Sequence, residues 1–179
     1  MKASDFSLLV DEYGKDIYSF CRKLTYNEFD AEELYQDTFL KAMDVADRID
    51  ENNNPKSFLI SISISIWNNK KRKYARRMRI APTDSLDAEE NYNEPQSDKT
   101  PEKQVLKEEL IEVVRNCIAE LDDKMRIPVI LYYNLKYPLD KIAEIVNCPE
   151  GTVKSRLYKA REELKKKLEV YGVEGFWIG

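Results

Sequence analysis

The chain has 179 residues, of which 42% are hydrophobic and 35% charged, with a formal net charge of −4 and no histidine. This length and composition fit one ordinary domain or two small ones with a folded core. The lack of histidine excludes Ser-His-Asp catalysis and histidine-ligated zinc. The three cysteines are scattered along the chain, which predicts reduced thiols. No apolar run approaches the ~20 residues that span a bilayer, and the N-terminus has no apolar signal core, so we expect a cytoplasmic location.

Helical periodicity opens the chain. Apolar residues from Phe6 to Leu24 recur at steps of three and four, which predicts an amphipathic helix. Asp30 followed by Glu33 resembles a capping box, so we expect a second helix from Asp30 to about Ala46. Its predicted buried stripe is Ala31, Leu34, Tyr35, Phe39, Ala42 and Ala46. Its opposite face carries Glu33, Gln36, Asp37, Lys41 and Asp44.

The segment from Phe58 to Trp67 alternates isoleucine and serine, a pattern typical of strands. No hairpin partner is visible and its surroundings predict helices, so we interpret it as a helix in which tertiary packing overrides propensity. The residues that this helix would bury are Phe58, Leu59, Ile62, Ile66 and Trp67.

Charge is segregated along the chain. Residues 67–80 carry seven basic and no acidic residues, whereas 81–104 carry seven acidic residues and two lysines. Residues 150–168 lean basic again, seven against three. Two basic segments separated by an acidic one indicate two separate contacts with a polyanion.

These patterns predict an all-α fold with two small helical domains, an N-terminal helical bundle and a C-terminal helix-turn-helix. The acidic stretch between them contains three prolines and few apolar residues, so we expect a flexible linker. The predicted divisions are 1–80 for the first domain, 81–104 for the linker, 105–172 for the second domain and 173–179 for a tail without an assigned role.

The strongest local signal is a helix-turn-helix between Leu139 and Arg161. Asn147 falls at the turn, where a residue tolerant of positive φ is needed. In this motif the N-terminal residues of the second helix contact base edges in the major groove. Its predicted buried face is Val153, Leu157, Ala160 and Leu164, and its predicted base-facing residues are Lys154, Ser155, Tyr158 and Lys159. Arg156 and Arg161 are better placed for phosphates or for packing.

Together these motifs resemble a bacterial RNA polymerase sigma factor of the two-domain extracytoplasmic-function (ECF) group. Residues 149–161, PEGTVKSRLYKAR, resemble the family's region 4, which binds the promoter −35 element. Residues 30–42, DAEELYQDTFLKA, are similar to its region 2.2. Residues 58–72 stand where the family has regions 2.3 and 2.4. The resemblance covers nearly the whole chain, in the family's order.

The resemblance implies a function: directing core RNA polymerase to specific promoters and assisting promoter opening, with no enzymatic activity, cofactor or metal site of its own. It implies that Glu33, Gln36, Asp37 and Lys41 dock on the clamp coiled coil of the β′ subunit. It also implies a β flap contact and an anti-sigma factor, without membrane insertion by this chain. The residues expected to recognise the −10 element and follow the single strand are Ser65, Asn69, Lys70, Lys71, Arg72, Lys73, Tyr74, Arg76 and Arg77.

Departures from the family pattern concern the −10 pocket, for which residues 48–57 and the start of the next helix are expected. Ser65 stands where the family usually has Asn, Phe58 where Trp is common, and Ser63 where Ala is usual. These differences leave the preferred −10 base open. Trp67 is a candidate for base stacking, with core packing as the favoured alternative.

Two other functions fit parts of the sequence. A free-standing helix-turn-helix regulator would bind a duplex operator without polymerase, but it leaves the basic run of 67–80 unexplained. A helical enzyme using the carboxylates between Asp30 and Asp37 would lack a histidine and a phosphate-binding glycine loop. The sequence therefore favours the sigma factor function.

Overall fold

The structure is a computed structural model that describes residues 3–45, 54–80 and 103–173, and every regular element in these ranges is helical. The predicted all-α fold class is confirmed. The chain divides into two compact units, Met1–Tyr92 and Asn93–Gly179, so the division falls within the predicted linker. Most of that linker (residues 81–102), residues 48–53 of the expected pocket and the tail from 174 lie outside the described residues.

The first unit is a three-helix bundle of α1 (Ala3–Thr25), α2 (Glu28–Asp44) and α3 (Pro55–Ile80). Each of these helices packs against the other two. Their apolar stripes meet in one core that includes Ile17, Phe20, Leu24, Leu34, Leu59 and Ile60. Gly14 is buried where α1 crosses α2, and an added Cβ there would lie 3.0 Å from the Tyr35 hydroxyl. A glycine therefore permits the close approach of the two helices.

The start of α2 differs from the prediction. Asn27, with extended backbone angles, is the N-cap, and its side-chain oxygen accepts from the backbone N–H of Asp30 at 2.9 Å. The prediction that Asp30 caps the helix was wrong by three residues. Asp30 instead lies in the first turn, where its carboxylate interacts favourably with the helix dipole. Asparagine is itself a preferred N-cap residue, so the correct signal was present but weaker than the apparent capping box.

The isoleucine–serine segment is helical throughout, which confirms the prediction for α3. Two of its serine hydroxyls bond within the helix: Ser61 donates to the Phe58 carbonyl at 2.7 Å and Ser63 to the Leu59 carbonyl at 3.0 Å. Ser63 also lies 3.0 Å from the Thr38 hydroxyl of α2, and both side chains are buried. Hydrogen bonding of this kind lets polar side chains pack in a helical core.

The buried set of α3 is only partly as predicted. Leu59 and Ile62 are buried as expected, whereas Phe58, Ile66 and Trp67 are half-buried. The additional buried residues are Pro55, Ser57, Ile60, Ser63 and Ile64. Because α3 contacts both α1 and α2, its buried arc is wider than the single stripe that periodicity predicts.

The second unit contains α4 (Lys103–Ala119), α5 (Asp123–Val129), a π-helical turn (Ile130–Asn134), α6 (Leu139–Ile145) and α7 (Glu150–Val170). Helix α7 packs against α4, α5 and α6. The predicted buried face of α7 is confirmed, with Leu168 added to Val153, Leu157, Ala160 and Leu164.

The turn between α6 and α7 has the predicted backbone geometry. Asn147 adopts a φ of 50°, in the left-handed region that asparagine tolerates better than most residues. Pro138 is the N-cap residue of α6, and Leu139 is its first helical residue. None of the helices in the described ranges is long and apolar enough to cross a membrane.

Candidate polymerase and nucleic-acid interfaces

The predicted docking residues lie on one outer face of α2. Glu33, Gln36 and Lys41 are exposed and Asp37 is half-buried. Lys41 pairs with Asp44 one turn further on, at 3.3 Å. The structure therefore places all four predicted residues where a partner can reach them, and their charges are partly matched within the face itself.

Exposed apolar side chains, which were not predicted from the sequence, complete this face. Phe29, Leu40 and Met43 are 73%, 62% and 56% exposed. With Glu33 and Gln36 they follow one another at steps of four, three, four and three, which is the spacing of a helix seam that packs on another helix. We call these five residues the α2 stripe. The signal was visible in the sequence as apolar residues on the polar side of a helix.

A shallow cleft lies beside the α2 stripe, between α2 and α3. Its lining combines apolar and charged side chains: Asp37, Leu40, Lys41, Met43, Asp44 and Ile66. Half-burial of Ile66, which had been predicted to be buried, follows from its position at this open edge of the bundle.

Lys70 connects α3 to the predicted docking face. Its ammonium lies 2.8 Å from an Asp37 carboxylate oxygen and 3.1 Å from Glu33, and the nitrogen is shielded from solvent. Burial alone would lower the pKa of Lys70, but the hydrogen bonds with Asp37 and Glu33 outweigh it and raise the pKa above the ordinary 10.5. The structure thus groups Lys70 with the acidic residues of α2, although the sequence placed it with the strand-contacting cations.

The remaining predicted strand-contacting residues lie on the half of α3 that extends past the core. Ser65, Asn69, Arg72 and Arg76 succeed one another at steps of four, three and four, so they share one exposed face. Arg72 donates to the Asn69 side chain at 2.8 Å and to the Asn68 carbonyl at 3.3 Å. The other exposed residues of this set are Lys71, Lys73, Tyr74 and Arg77.

The two aromatic residues of this segment differ in exposure. Trp67 is half-buried, with the Lys71 ammonium 5.6 Å from its ring centroid, a cation–π contact. Tyr74 is 59% exposed. Tyr74 therefore offers more free ring surface for a base than Trp67 does.

Helix α7 presents the predicted base-facing residues outward. Lys154, Ser155, Tyr158 and Lys159 are all exposed. Ser155 donates its hydroxyl to the Thr152 carbonyl at 3.0 Å, so its free lone pairs remain as acceptors. Lys154 pairs with Glu150, the first residue of the helix, at 2.7 Å. Glu150 was not among the predicted DNA-contacting residues.

The two arginines of α7 differ in their surroundings. Arg156 is half-buried, and its guanidinium lies 3.7 Å from the Cys148 sulfur in the turn of the motif. Arg161 is exposed, and its Nε donates to the Leu157 carbonyl at 3.4 Å. Arg156 thus contacts the turn, whereas Arg161 leaves much of its guanidinium toward solvent.

Comparison with known proteins identifies the family. Residues 9–78 match the family Sigma-70 region 2, and residues 111–164 match the family Sigma-70, region 4. The chain is 32% identical over 168 residues to the ECF RNA polymerase sigma factor SigW of Bacillus subtilis, covering 91% of this chain and 88% of that protein. The chain belongs to the ECF RNA polymerase sigma factors. It directs initiation of transcription at specific promoters, through core RNA polymerase and promoter DNA.

Other relatives agree with this assignment. The ECF RNA polymerase sigma-E factor of Escherichia coli strain K12 is 28% identical over 166 residues, covering 92% of this chain and 86% of that protein. In fold, the chain is similar to the sigma factor RpoE from Bartonella quintana, crystallised with the anti-sigma factor NepR, with a TM-score of 0.75 and 24% identity over 94% and 99% of the two chains. The fold is also similar to that of CnrH in complex with the cytosolic domain of CnrY (TM-score 0.61, 19% identity, 94% and 90% covered).

Proposed function

We propose that the two units of this ECF sigma factor divide the promoter between them. The first unit, predicted as residues 1–80, docks on polymerase through α2 and contacts the −10 element through α3. The second unit, predicted as residues 105–172, reads the −35 element through α7. The acidic segment 81–104 tethers them, so that binding of one element raises the effective concentration of the other unit at the promoter.

The observation that carries this proposal is the α2 stripe beside the basic half of α3. A stripe with Phe29, Leu40 and Met43 exposed fits the surface of a partner helix, and the resemblance to the family names that partner as the clamp coiled coil of the β′ subunit. Arg72 and Arg76 extend from the same unit on the adjacent helix. A DNA strand opened at the polymerase would therefore meet a basic surface already in position.

This mechanism requires no catalysis by the sigma factor itself. Strand opening is favoured because exposed aromatic and basic groups stabilise the separated strand, and stacking of one base contributes roughly 1–3 kcal/mol. Tyr74 supplies exposed ring surface, and Lys71, Lys73 and Arg77 supply positive charge. The chain then acts as a non-enzymatic, cytoplasmic specificity subunit.

An anti-sigma factor is the expected regulatory partner. In the solved structures of similar fold, RpoE is in complex with the anti-sigma factor NepR and CnrH is in complex with the cytosolic domain of CnrY. The exposed apolar residues of the α2 stripe give such a partner a surface that polymerase also needs. Binding of one would then exclude the other.

Run-off transcription tests the proposed function. Purified core polymerase is supplied with a pool of promoter fragments from the source genome, with and without the full chain. We expect new start sites only when the chain is present, preceded by shared −10 and −35 sequences. Unchanged start sites together with tight, polymerase-independent binding to duplex DNA would instead support a free-standing helix-turn-helix regulator.

A further inference from the structure

The first residue of α7 forms an ion pair on the predicted DNA-facing surface. A Glu150 carboxylate oxygen lies 2.7 Å from the Lys154 ammonium, with the side chains 45% and 60% exposed. Glutamate four residues before lysine is the favourable orientation for such a pair on a helix. The pair therefore approaches DNA as one preorganised unit with no net charge.

Position on the helix directs this pair toward base edges. In a helix-turn-helix, residues in the N-terminal part of the second helix contact bases, and Glu150 and Lys154 occupy its first two turns. Apart from its two chain neighbours and the adjacent backbone of α7, no atom of the described residues lies within 4 Å of the place that a Cβ on Gly151 would occupy, so the helix surface beside Glu150 is open. A base edge can therefore approach without displacing a side chain.

The chemistry of the pair matches one kind of base pair. A carboxylate only accepts hydrogen bonds and an ammonium only donates them. In the major groove cytosine presents its N4 donor, and guanine presents its O6 and N7 acceptors. Cytosine N4 and guanine O6 form a hydrogen bond with each other and lie about 2.9 Å apart. This separation is close to the 2.7 Å between the Glu150 carboxylate oxygen and the Lys154 ammonium.

We infer that Glu150 and Lys154 together read one G·C base pair of the −35 element, with Glu150 accepting from cytosine N4 and Lys154 donating to guanine O6. This inference rests on the proposed contact of α7 with the −35 element. At any other base pair the Glu150 carboxylate would lose its water without gaining a hydrogen bond from cytosine, and it would lie beside the negatively charged DNA. Binding to those base pairs is therefore actively disfavoured.

Selection of −35 sequences by reconstituted holoenzyme tests the inference. Core polymerase with the full chain initiates on promoters whose −35 region is randomised, and the selected sequences are counted. We expect one position to require a G·C pair. Glu150→Ala should reduce discrimination at that position by about 5- to 150-fold, the range for loss of a good base contact, and leave the other positions unchanged.

A second variant and a control sharpen the test. Glu150→Gln should shift the preference of the same position toward adenine, because an amide both donates and accepts. Glu169→Gln, an exposed acid near the other end of α7, should change no position. If both Glu150 variants only alter thermal stability and keep the base preferences of the unmodified chain, the inference is wrong. If no −35 sequence is selected even by the unmodified chain, the proposed role of α7 itself fails.

Discussion

The ammonium of Lys70 lies 2.8 Å from the Asp37 carboxylate, and this ion pair links helix α3 to the predicted docking face of α2. Glu33, one turn before Asp37, contacts the same ammonium at 3.1 Å. The positive charge of Lys70 is thus already balanced by two carboxylates within the protein. Its neighbours Lys71 and Lys73 are exposed. The basic segment therefore contains a lysine that is paired with carboxylates of α2 and lysines whose side chains extend into solvent.

Replacement of Lys70 should affect stability more than binding of single-stranded DNA. Lys70→Met removes the pairing of two carboxylates, and we expect the free energy of unfolding to fall by about 1 kcal/mol. In the absence of polymerase, the chain should bind a single-stranded −10 oligonucleotide with unchanged salt dependence, because the Lys70 ammonium is paired with the carboxylates of Asp37 and Glu33. Chemical denaturation and fluorescence anisotropy titrations at several salt concentrations measure the two effects.

Lys73→Met is the matched control for Lys70. Lys73 is exposed on the same helix, and its replacement should leave stability within about 0.5 kcal/mol. If Lys73 contacts a phosphate, its replacement should reduce the slope of the logarithm of the binding constant against the logarithm of the salt concentration by about 0.7. A similar fall in slope for Lys70→Met would show that Lys70 turns toward DNA.

The raised pKa of Lys70 gives a further check. The stabilisation of the fold by the Lys70 ion pair should be complete below the ordinary pKa of 10.5 and lost as pH rises through the higher folded-state value.

The α2 stripe should determine affinity for core polymerase. Leu40→Ala combined with Met43→Ala removes two exposed apolar side chains, so the folded chain should keep its stability within about 0.5 kcal/mol. Loss of two buried interface anchors should weaken polymerase binding by about 10- to 100-fold. Titration of labelled chain with core polymerase measures this affinity. Leu8→Ala, which removes a 65% exposed leucine from α1, is the control, and an equal loss in both variants would reject the stripe as the docking site.

Asn147 should be replaceable by glycine but not by a β-branched residue. Its φ of 50° lies in the left-handed region, which costs a β-branched side chain about 1–2 kcal/mol and glycine almost nothing. We expect Asn147→Val to lower the melting temperature and −35-dependent transcription together, and Asn147→Gly to preserve both. Thermal unfolding of the full chain and run-off transcription provide the measurements. Equal stability of the two variants would mean that the turn relaxes to another conformation.

The three cysteines should differ in reactivity. Burial raises the pKa of Cys21 to about 12, against a lowering contribution from the Ser63 hydrogen bond, and burial also raises the pKa of Cys117. Cys148 is half-buried in the turn before α7. A maleimide at about pH 8 should therefore label Cys148 much faster than the other two, because the thiolate is the reactive form. Mass spectrometry of peptides locates the label, and rapid labelling of Cys21 in the folded chain would contradict its burial.

The pH dependence of stability follows from the same thiol. Because the folded-state pKa of Cys21 is raised, its neutral form stabilises the fold fully below the ordinary pKa of 9.0. That contribution is lost as pH rises from 9.0 toward about 12, since the unfolded chain ionises first. Cys21→Ala should flatten this part of the stability curve in alkaline denaturation experiments.

Local sequence signals were sufficient where neighbouring residues decide the structure. The left-handed turn at Asn147 and the buried face of α7 from Val153 to Leu164 follow from short-range chemistry and from helical spacing, and both are present. The cap of α2 was misplaced at Asp30 because two patterns competed within three residues. Only the backbone angles of Asn27 decide between them.

The amino-acid sequence by itself determined the helical class of this sigma factor, its basic and acidic segments and the motifs that identify its family, because these depend on composition and on spacing along one helix. Tertiary structure alone decided which charges are available. Lys70 is 33 positions from Asp37 along the chain, yet packing of α3 on α2 brings their charges into contact. The same packing leaves Leu40 and Met43 exposed. An apolar residue is buried only where another helix covers its face, and this cannot be read from the residue type alone.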